Sequence, residues 1–161
     1  MPAASFLAIV SNPAKFNLFL LKKLPAAFFA GLKITAVNST ECTVSVPYKW
    51  FTQNPFRSTY FACLAMAAEM STGVLAMGAV YGRKPPVSML IVGMESKFYK
   101  KATGLCFFTC TDGAQVQAAI EESGTTGQGQ TVRLHSIGVN KAGEMIAEFW
   151  FTWSFKSKLK G

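Results

Sequence analysis

The sequence predicts an α+β fold: an antiparallel sheet wrapped around a long central helix at about residues 58–80, preceded by an N-terminal helix. Three observations predict it. The 25-residue stretch STYFACLAMAAEMSTGVLAMGAVYG, from Ser58 to Gly82, is apolar apart from one charge, Glu69. Segments on both sides of it alternate polar and apolar residues at the two-residue period of strands. The order along the chain, helix, strands, helix, strands, suits a sheet curled over one helix.

Asn12-Pro13 reads as a helix start, a capping side chain followed by proline in the first turn. Phe16, Phe19 and Leu20 recur at helical spacing, and Pro25 interrupts the run within a helical segment of about 12–30. From Leu32 the period shortens, and Cys42, Val44 and Val46 face opposite to Thr43 and Ser45. Strands near 31–38 and 41–48 therefore pair as a hairpin through Asn38-Ser39-Thr40. Asn54-Pro55 opens a turn before the apolar helix.

After Pro85-Pro86, Val87 to Tyr99 reads as one long strand and Gly104 to Thr111 as another. Asp112 caps a short helix, Gln115 to Glu122, and SGTTGQGQT follows as a flexible connection. The last two strands, Gln130–Val139 and Glu144–Phe155, are joined by a turn from Asn140 to Gly143. Phe149, Phe151, Trp153 and Phe155 share one face of the final strand. No repeat or boundary divides the chain, so 1–161 reads as one domain with its sheet-and-helix core at 31–157.

Composition narrows the function. Half of the residues are hydrophobic and 13% are aromatic, which predicts a packed core rather than disorder. The net charge is +8, and no acidic residue precedes Glu41. No helix-turn-helix, zinc-finger or RNA-binding signature accompanies that charge, so nucleic acid is not an expected partner. The four cysteines, Cys42, Cys63, Cys106 and Cys110, form no CxxC pair, and with His135 as the single histidine no metal site is expected. Cys106 and Cys110 would lie roughly 13 Å apart on an extended strand, too far for a disulfide. The thiols are expected as small packed hydrophobes in a reducing, cytoplasmic setting. His135, alone on a strand, is expected to be a surface or core histidine rather than a base.

The run from Tyr60 to Tyr81 is long enough to span a bilayer. Glu69 at its centre, among Ala, Met and Gly, predicts a core helix instead, and no stable membrane insertion. The FLAIV run is too short for a secretory signal and lacks an early basic region. The amphipathic segment from Asn12 to Phe29 is expected to cover a core, with contact to a membrane surface as the alternative.

A carboxylate in such apolar sequence loses solvation, and it is either compensated structurally or retained for chemistry. Helical spacing puts Ala62, Ala65, Met66, Thr72, Gly73 and Ala76 on its face, with Phe61, Leu64 and Leu75 opposite. That small-residue face leaves space for a closely packed element or for a ligand channel. The sheet is expected to enclose one side of the helix and a partner to cover the other.

The segment NPFRSTYFACLAMAAE, from Asn54 to Glu69, resembles the hotdog-fold thioesterases of the phenylacetyl-CoA type. Their pattern is an Asn, a Gly three positions later, His-Gly-Gly beginning six positions later, and an acid fifteen positions later. Asn54 and Glu69 match it. Arg57 stands where Gly is usual, and Tyr60, Phe61 and Ala62 replace His-Gly-Gly. SKFYKKATG and GEMIAEFWFTWSFK are similar to the strand after the central helix and to the final strand. With its N-terminal helix, the chain looks closest to a poorly characterised bacterial branch of that superfamily.

The resemblance implies hydrolysis of an acyl-CoA or similar acyl thioester, with coenzyme A as part of the substrate and no other cofactor. Glu69 would be general base or nucleophile, and Asn54 would orient the water or the carboxylate. Backbone amides at Tyr60, Phe61 and Ala62 would hold the oxyanion at the helix N-terminus. The acyl and pantetheine portions would run along Ala62, Ala65, Thr72 and Gly73 at a dimer interface, with Arg83, Lys84, Lys100 and Lys101 facing the phosphates. Open sheet edges and the resemblance both imply a homodimer, with a tetramer as the alternative. Two other readings stand beside hydrolysis: a non-catalytic acyl-CoA or fatty-acyl binding protein, and a purely structural oligomer module. No GxSxG, Walker loop or dinucleotide fingerprint offers other chemistry.

Overall fold

The computed structural model describes residues 2–158, with side chains from residue 6 onward. Among the described residues there are five α-helices, α1 Pro2–Val10, α2 Pro13–Lys23, α3 Pro25–Ala30, α4 Phe61–Val80 and α5 Gly113–Thr126, and one short 3-10 helix, Trp50–Thr52. The strands are β1 Lys33–Val37, β2 Cys42–Val46, β3 Val87–Phe98, β4 Cys106–Cys110, β5 Gln130–Asn140 and β6 Met145–Ser157. They form one antiparallel sheet in the order β1-β2-β4-β5-β6-β3. The helix α4 lies against one face of it, touching β2, β4, β5 and β6. This is the hotdog fold.

Local chemistry sets the element ends. Asn12 caps α2 through its side-chain oxygen, which accepts the Lys15 amide at 3.1 Å, and Pro13 fills the first turn. Leu24 closes α2, Pro25 starts α3, and Gly31 ends it at φ +79°. The central helix begins at Phe61 rather than near 58. Ser58 and Thr59 stay out of it because the Thr59 amide bonds the Ala102 carbonyl and the Tyr60 amide bonds the Thr52 carbonyl, both at 2.7 Å.

Small residues let α4 approach the sheet closely. Ala67, Ala68, Ser71 and Ala76 are buried, and the Ser71 and Ser136 hydroxyls meet at 2.8 Å, joining α4 to β5. Beneath lie Val44, Val46, Phe108, Leu134, Phe149 and Phe155, all at 0% exposure, so the inward face of the last strand is the face the alternation indicated. The Phe61–Val80 helix is long and apolar enough to cross a membrane, and most of it is buried inside the protein.

Two further elements differ from expectation. The helix α1 is additional, held by Phe6 and Val10 one turn apart on its buried side. The helix α5 is longer than Gln115–Glu122: it takes in the SGTT residues and ends at Gly127, φ +70°. Asp112 does occupy the N-cap position, its carbonyl accepting the Gln115 and Val116 amides, but its side chain makes no capping bond to the helix backbone. Its carboxylate instead accepts the His135 amide at 2.7 Å and the Gln115 side chain at 3.0 Å.

Gly113 does need to be glycine, because a Cβ there would fall 2.4 Å from the Ser39 carbonyl oxygen. Gly124 does not: nothing lies within 4 Å of a Cβ at this exposed position inside α5. Gly124→Ala is expected to stabilise the protein by about 0.5–1 kcal/mol in urea unfolding, the helix-interior difference between the two residues.

All four thiols are buried and free, and burial pushes Cys42 and Cys110 up to about 12 and Cys106 up to about 11. Such thiols are inert small hydrophobes, although β2–β4 pairing sets Cys42 directly opposite Cys110. On the sheet's other face, His135 stacks on Trp150 at 4.7 Å with Nε2 3.0 Å from Glu148.

Candidate functional site

Glu69 lines a narrow apolar cavity of about 70 Å³. Phe6, Val10, Phe16, Phe19 and Leu24 form one wall; Met70, Gly73, Val74 and Met77 of α4, with Met89 and Trp153, form the rest. Around Glu69, Gly73 and Met77, the chain's own N-terminal helices cover part of the α4 face that was expected to meet a partner. Of the residues placed beside Glu69 by helical spacing, Thr72, Gly73 and Ala76 are buried, while Ala62, Ala65 and Met66, like Glu69 itself, remain partly open.

The backbone arrangement here is specific. Oε1 of Glu69 lies 2.9 Å from the point a Cβ on Gly73 would occupy, so glycine provides the carboxylate's space. Trp153 closes the other side; its indole N–H donates to Thr72 Oγ1 at 3.0 Å, and that hydroxyl donates to the Glu69 carbonyl at 2.9 Å. Among the described residues the carboxylate has no hydrogen-bond or ion-pair partner, and burial raises its pKa above the ordinary carboxylate value. A carboxylate so placed binds protons more strongly than a solvated one, the property of a general base.

Asn54 lies elsewhere. Its cavity, about 450 Å³, is lined by Phe56, Ser58, Tyr60, Phe61, Leu64, Phe98, Lys100 and Lys101 among others. The Asn54 side-chain oxygen accepts the amides of Phe56 at 2.9 Å and Ser58 at 3.2 Å, so it builds the turn. Its amide group reaches the Thr59 carbonyl at 3.5 Å, the weaker of its commitments. In this turn Arg57 has φ +56°, the left-handed conformation that glycine adopts freely, which accounts for the glycine usual there. Of the three amides expected to hold an oxyanion, that of Tyr60 is taken by Thr52; those of Phe61 and Ala62 make no bond to a described group. The Tyr60 and Phe61 rings stand edge to face at 5.0 Å over the same cavity.

The basic candidates divide. Lys100 and Lys101 border the Asn54 cavity, where Lys100 pairs with Glu144. Arg83 borders a third cavity, about 400 Å³, with Leu7, Ser39, Leu75, Tyr81 and Gln117, and its Nε donates to the Ala79 carbonyl at 2.9 Å. Lys84 follows it in the chain. Within one chain, then, Glu69, Asn54 and Arg83 line three different cavities.

The family model described as a domain of unknown function, DUF4442, matches residues 13–155. The chain belongs to the DUF4442 family. No protein of curated function matches this DUF4442 sequence. Solved structures share its fold at low identity. A probable thioesterase of unknown function from Pseudomonas aeruginosa has a TM-score of 0.76 and 19% identity over 91% of this chain and 97% of its own. A thioesterase from Haemophilus influenzae has 0.66 and 10%, over 92% and 93%. The Escherichia coli PaaI protein of the phenylacetic acid degradation operon has 0.64 and 13%, over 89% and 91%.

Sequence reading missed the wall of the Glu69 cavity: Trp153, Met89 and the aromatics of α1 and α2. Trp153 was legible as inward-facing, but its pairing with Thr72 crosses from β6 to α4. The wall from α1 had one local signal, Phe6 and Val10 at i and i+4.

Proposed function

We propose that this DUF4442 protein binds acyl thioesters such as acyl-CoA and hydrolyses them, with Glu69 as the general base. One observation carries the reading: Glu69 is a carboxylate with no partner among the described residues, in a cavity otherwise lined by apolar side chains. The cavity suits an acyl chain, since Met70, Met77 and Met89 are flexible and repack around apolar groups of different shape. The amides of Phe61 and Ala62, unbonded among the described residues and at the positive end of α4, suit the thioester oxyanion. Likeness in fold to thioesterases supports the reaction class.

Those amides and Glu69 belong to separate cavities, so the reading takes them from two chains. β3 is an open sheet edge exposing Leu90, Val92 and Met94. It runs from Met89, in the Glu69 cavity, to Phe98, in the Asn54 cavity. Antiparallel pairing of two copies of β3 about a two-fold between Gly93 and Met94 sets Met89 beside the partner's Phe98. One protomer's base then adjoins the helix end of its partner, and Lys100 and Lys101 lie at the rim for the phosphates.

The test is release of free thiol from a panel of acyl-CoAs of different chain length, with sedimentation in parallel. Turnover with a chain-length optimum is expected from a dimer. Val92→Lys, which sets a charge on the paired edge, is expected to give a folded monomer with turnover reduced on the order of 10²-fold or more, since half of the site is lost. No hydrolysis, with saturable acyl-CoA binding, would leave a binding protein; full activity in a Val92→Lys monomer would remove the two-chain site.

A further inference from the structure

Residues 1–40 contain Lys15, Lys22, Lys23 and Lys33 and no acidic side chain. On α2, Phe16 and Leu20 face the core, while Lys15, Leu18 and Lys22 recur at i, i+3 and i+7 on the outward side, with Leu21 beside them. Leu18 is 52% exposed, a large apolar side chain set between lysines.

More exposed apolar side chains follow, at the end of α2, on α3 and on the 50–52 turn that α3 contacts. Leu24, Phe29 and Phe51 are exposed, the Phe29 and Phe51 rings are 6.1 Å apart, and neighbouring Trp50 is 82% exposed. Lys49 lies over Gly31 at the end of α3, its Nζ 2.9 Å from where a Cβ would be. Nothing among the described residues covers this combination of Leu, Phe, Trp and Lys, and the N-terminal helices already use their other sides on the core.

We propose that this surface docks the protein on an anionic lipid bilayer. The composition is that of an interfacial element: aliphatic and aromatic side chains enter the boundary of the acyl layer, and the lysines meet acidic headgroups around them. A second copy fits less well. An isologous contact would set Lys15, Lys22 and Lys49 against the same lysines, with no acidic residue of the segment to offset them. Nucleic acid or an acidic protein face would satisfy the lysines but offers no apolar layer for Leu18, Leu21 and Trp50. The position of Leu24 adds a consequence. It is exposed in the patch and also lines the Glu69 cavity, so docking places that cavity against the acyl layer. No helix crosses the membrane in this arrangement, and docking does not depend on whether Glu69 hydrolyses anything.

The test uses the full chain and vesicles of phosphatidylcholine with and without phosphatidylglycerol. Trp153 is buried and Trp150 is stacked under His135, so Trp50 dominates any fluorescence response to lipid. Co-flotation with the anionic vesicles and a blue shift are expected, both weakened by added salt. Trp50→Ser with Phe51→Ser is expected to reduce partitioning by about tenfold or more and to remove the shift. Lys22→Glu with Lys23→Glu is expected to reduce partitioning to anionic vesicles about tenfold, to the level seen with neutral ones. All four side chains are exposed, and unchanged thermal melting confirms that the variants fold. The proposal is overturned by absence of flotation with anionic vesicles, by equal binding of the variants, or by a Trp50/Phe51 variant that changes oligomeric state instead.

Discussion

Glu69→Gln is expected to lower acyl-CoA turnover by a factor on the order of 10² to 10⁴, the contribution of a positioned general base. Substrate binding should persist, because Gln keeps the shape of the side chain. The same substitution should stabilise the protein at neutral pH. Burial raises the carboxyl's pKa in the folded state, with no partner among the described residues to offset it. Below its unfolded pKa, near the ordinary ~4.3, the group is protonated in both states and its favourable contribution is complete. As pH rises through the folded pKa, folding must hold an ionised carboxylate in apolar surroundings, and that contribution is lost. Gln carries no such loss. The stability gap between Glu69→Gln and the parent should therefore open with rising pH, while the parent's turnover rises as the base ionises.

Denaturant unfolding at acidic and neutral pH, beside thiol-release kinetics, reads both effects. A Gln variant that is less stable at neutral pH would mean that the carboxylate is held by a partner, and the catalytic assignment would fail with it. Unchanged turnover in the variant would move the chemistry to another residue.

The long helix, the succession of strands along the chain and the position of Glu69 were legible because they rest on local periodicity. An all-apolar helix with one carboxylate and strands alternating in twos each declare themselves within a dozen residues. The cavity around Glu69 was less legible, because its walls come from α1, α2, β3 and β6, brought together only by the tertiary fold. Asn54 shows the same limit from the other side. Its spacing from Glu69 matches a family motif, yet its side-chain oxygen organises its own turn, and it lines a cavity apart from that of Glu69. Spacing along a chain pointed to both residues, but it carries no information on which cavity each lines once the chain is folded. Asp112 was read as a helix cap from its position before α5, and a long-range amide, that of His135, took its carboxylate instead.

Gly138→Ala is expected to cost about 3 kcal/mol, the upper part of the range for overfilling a packed core. Gly138 pairs with Phe108 across β4 and β5, and a Cβ added to it would fall 2.3 Å from Phe108 Cε1 and 2.5 Å from Cζ. The ring has nowhere to go. Phe108 is fully buried and packs edge-on against Phe149, also fully buried, at 5.8 Å between ring centres. Phe149 in turn meets Phe98 at 5.6 Å, and Phe98 meets Phe61 at 6.4 Å, where the chain of rings reaches the cavity beside Asn54. Displacing Phe108 therefore loads the same rings that shape the proposed oxyanion end of the site. Phe108→Leu shortens the obstructing side chain, so the double variant should be less destabilised than the sum of the two single changes, by roughly 1–2 kcal/mol of coupling. Additive costs, or a Gly138→Ala protein as stable as the parent in urea, would show that the ring stack has slack and that the glycine is not required by it.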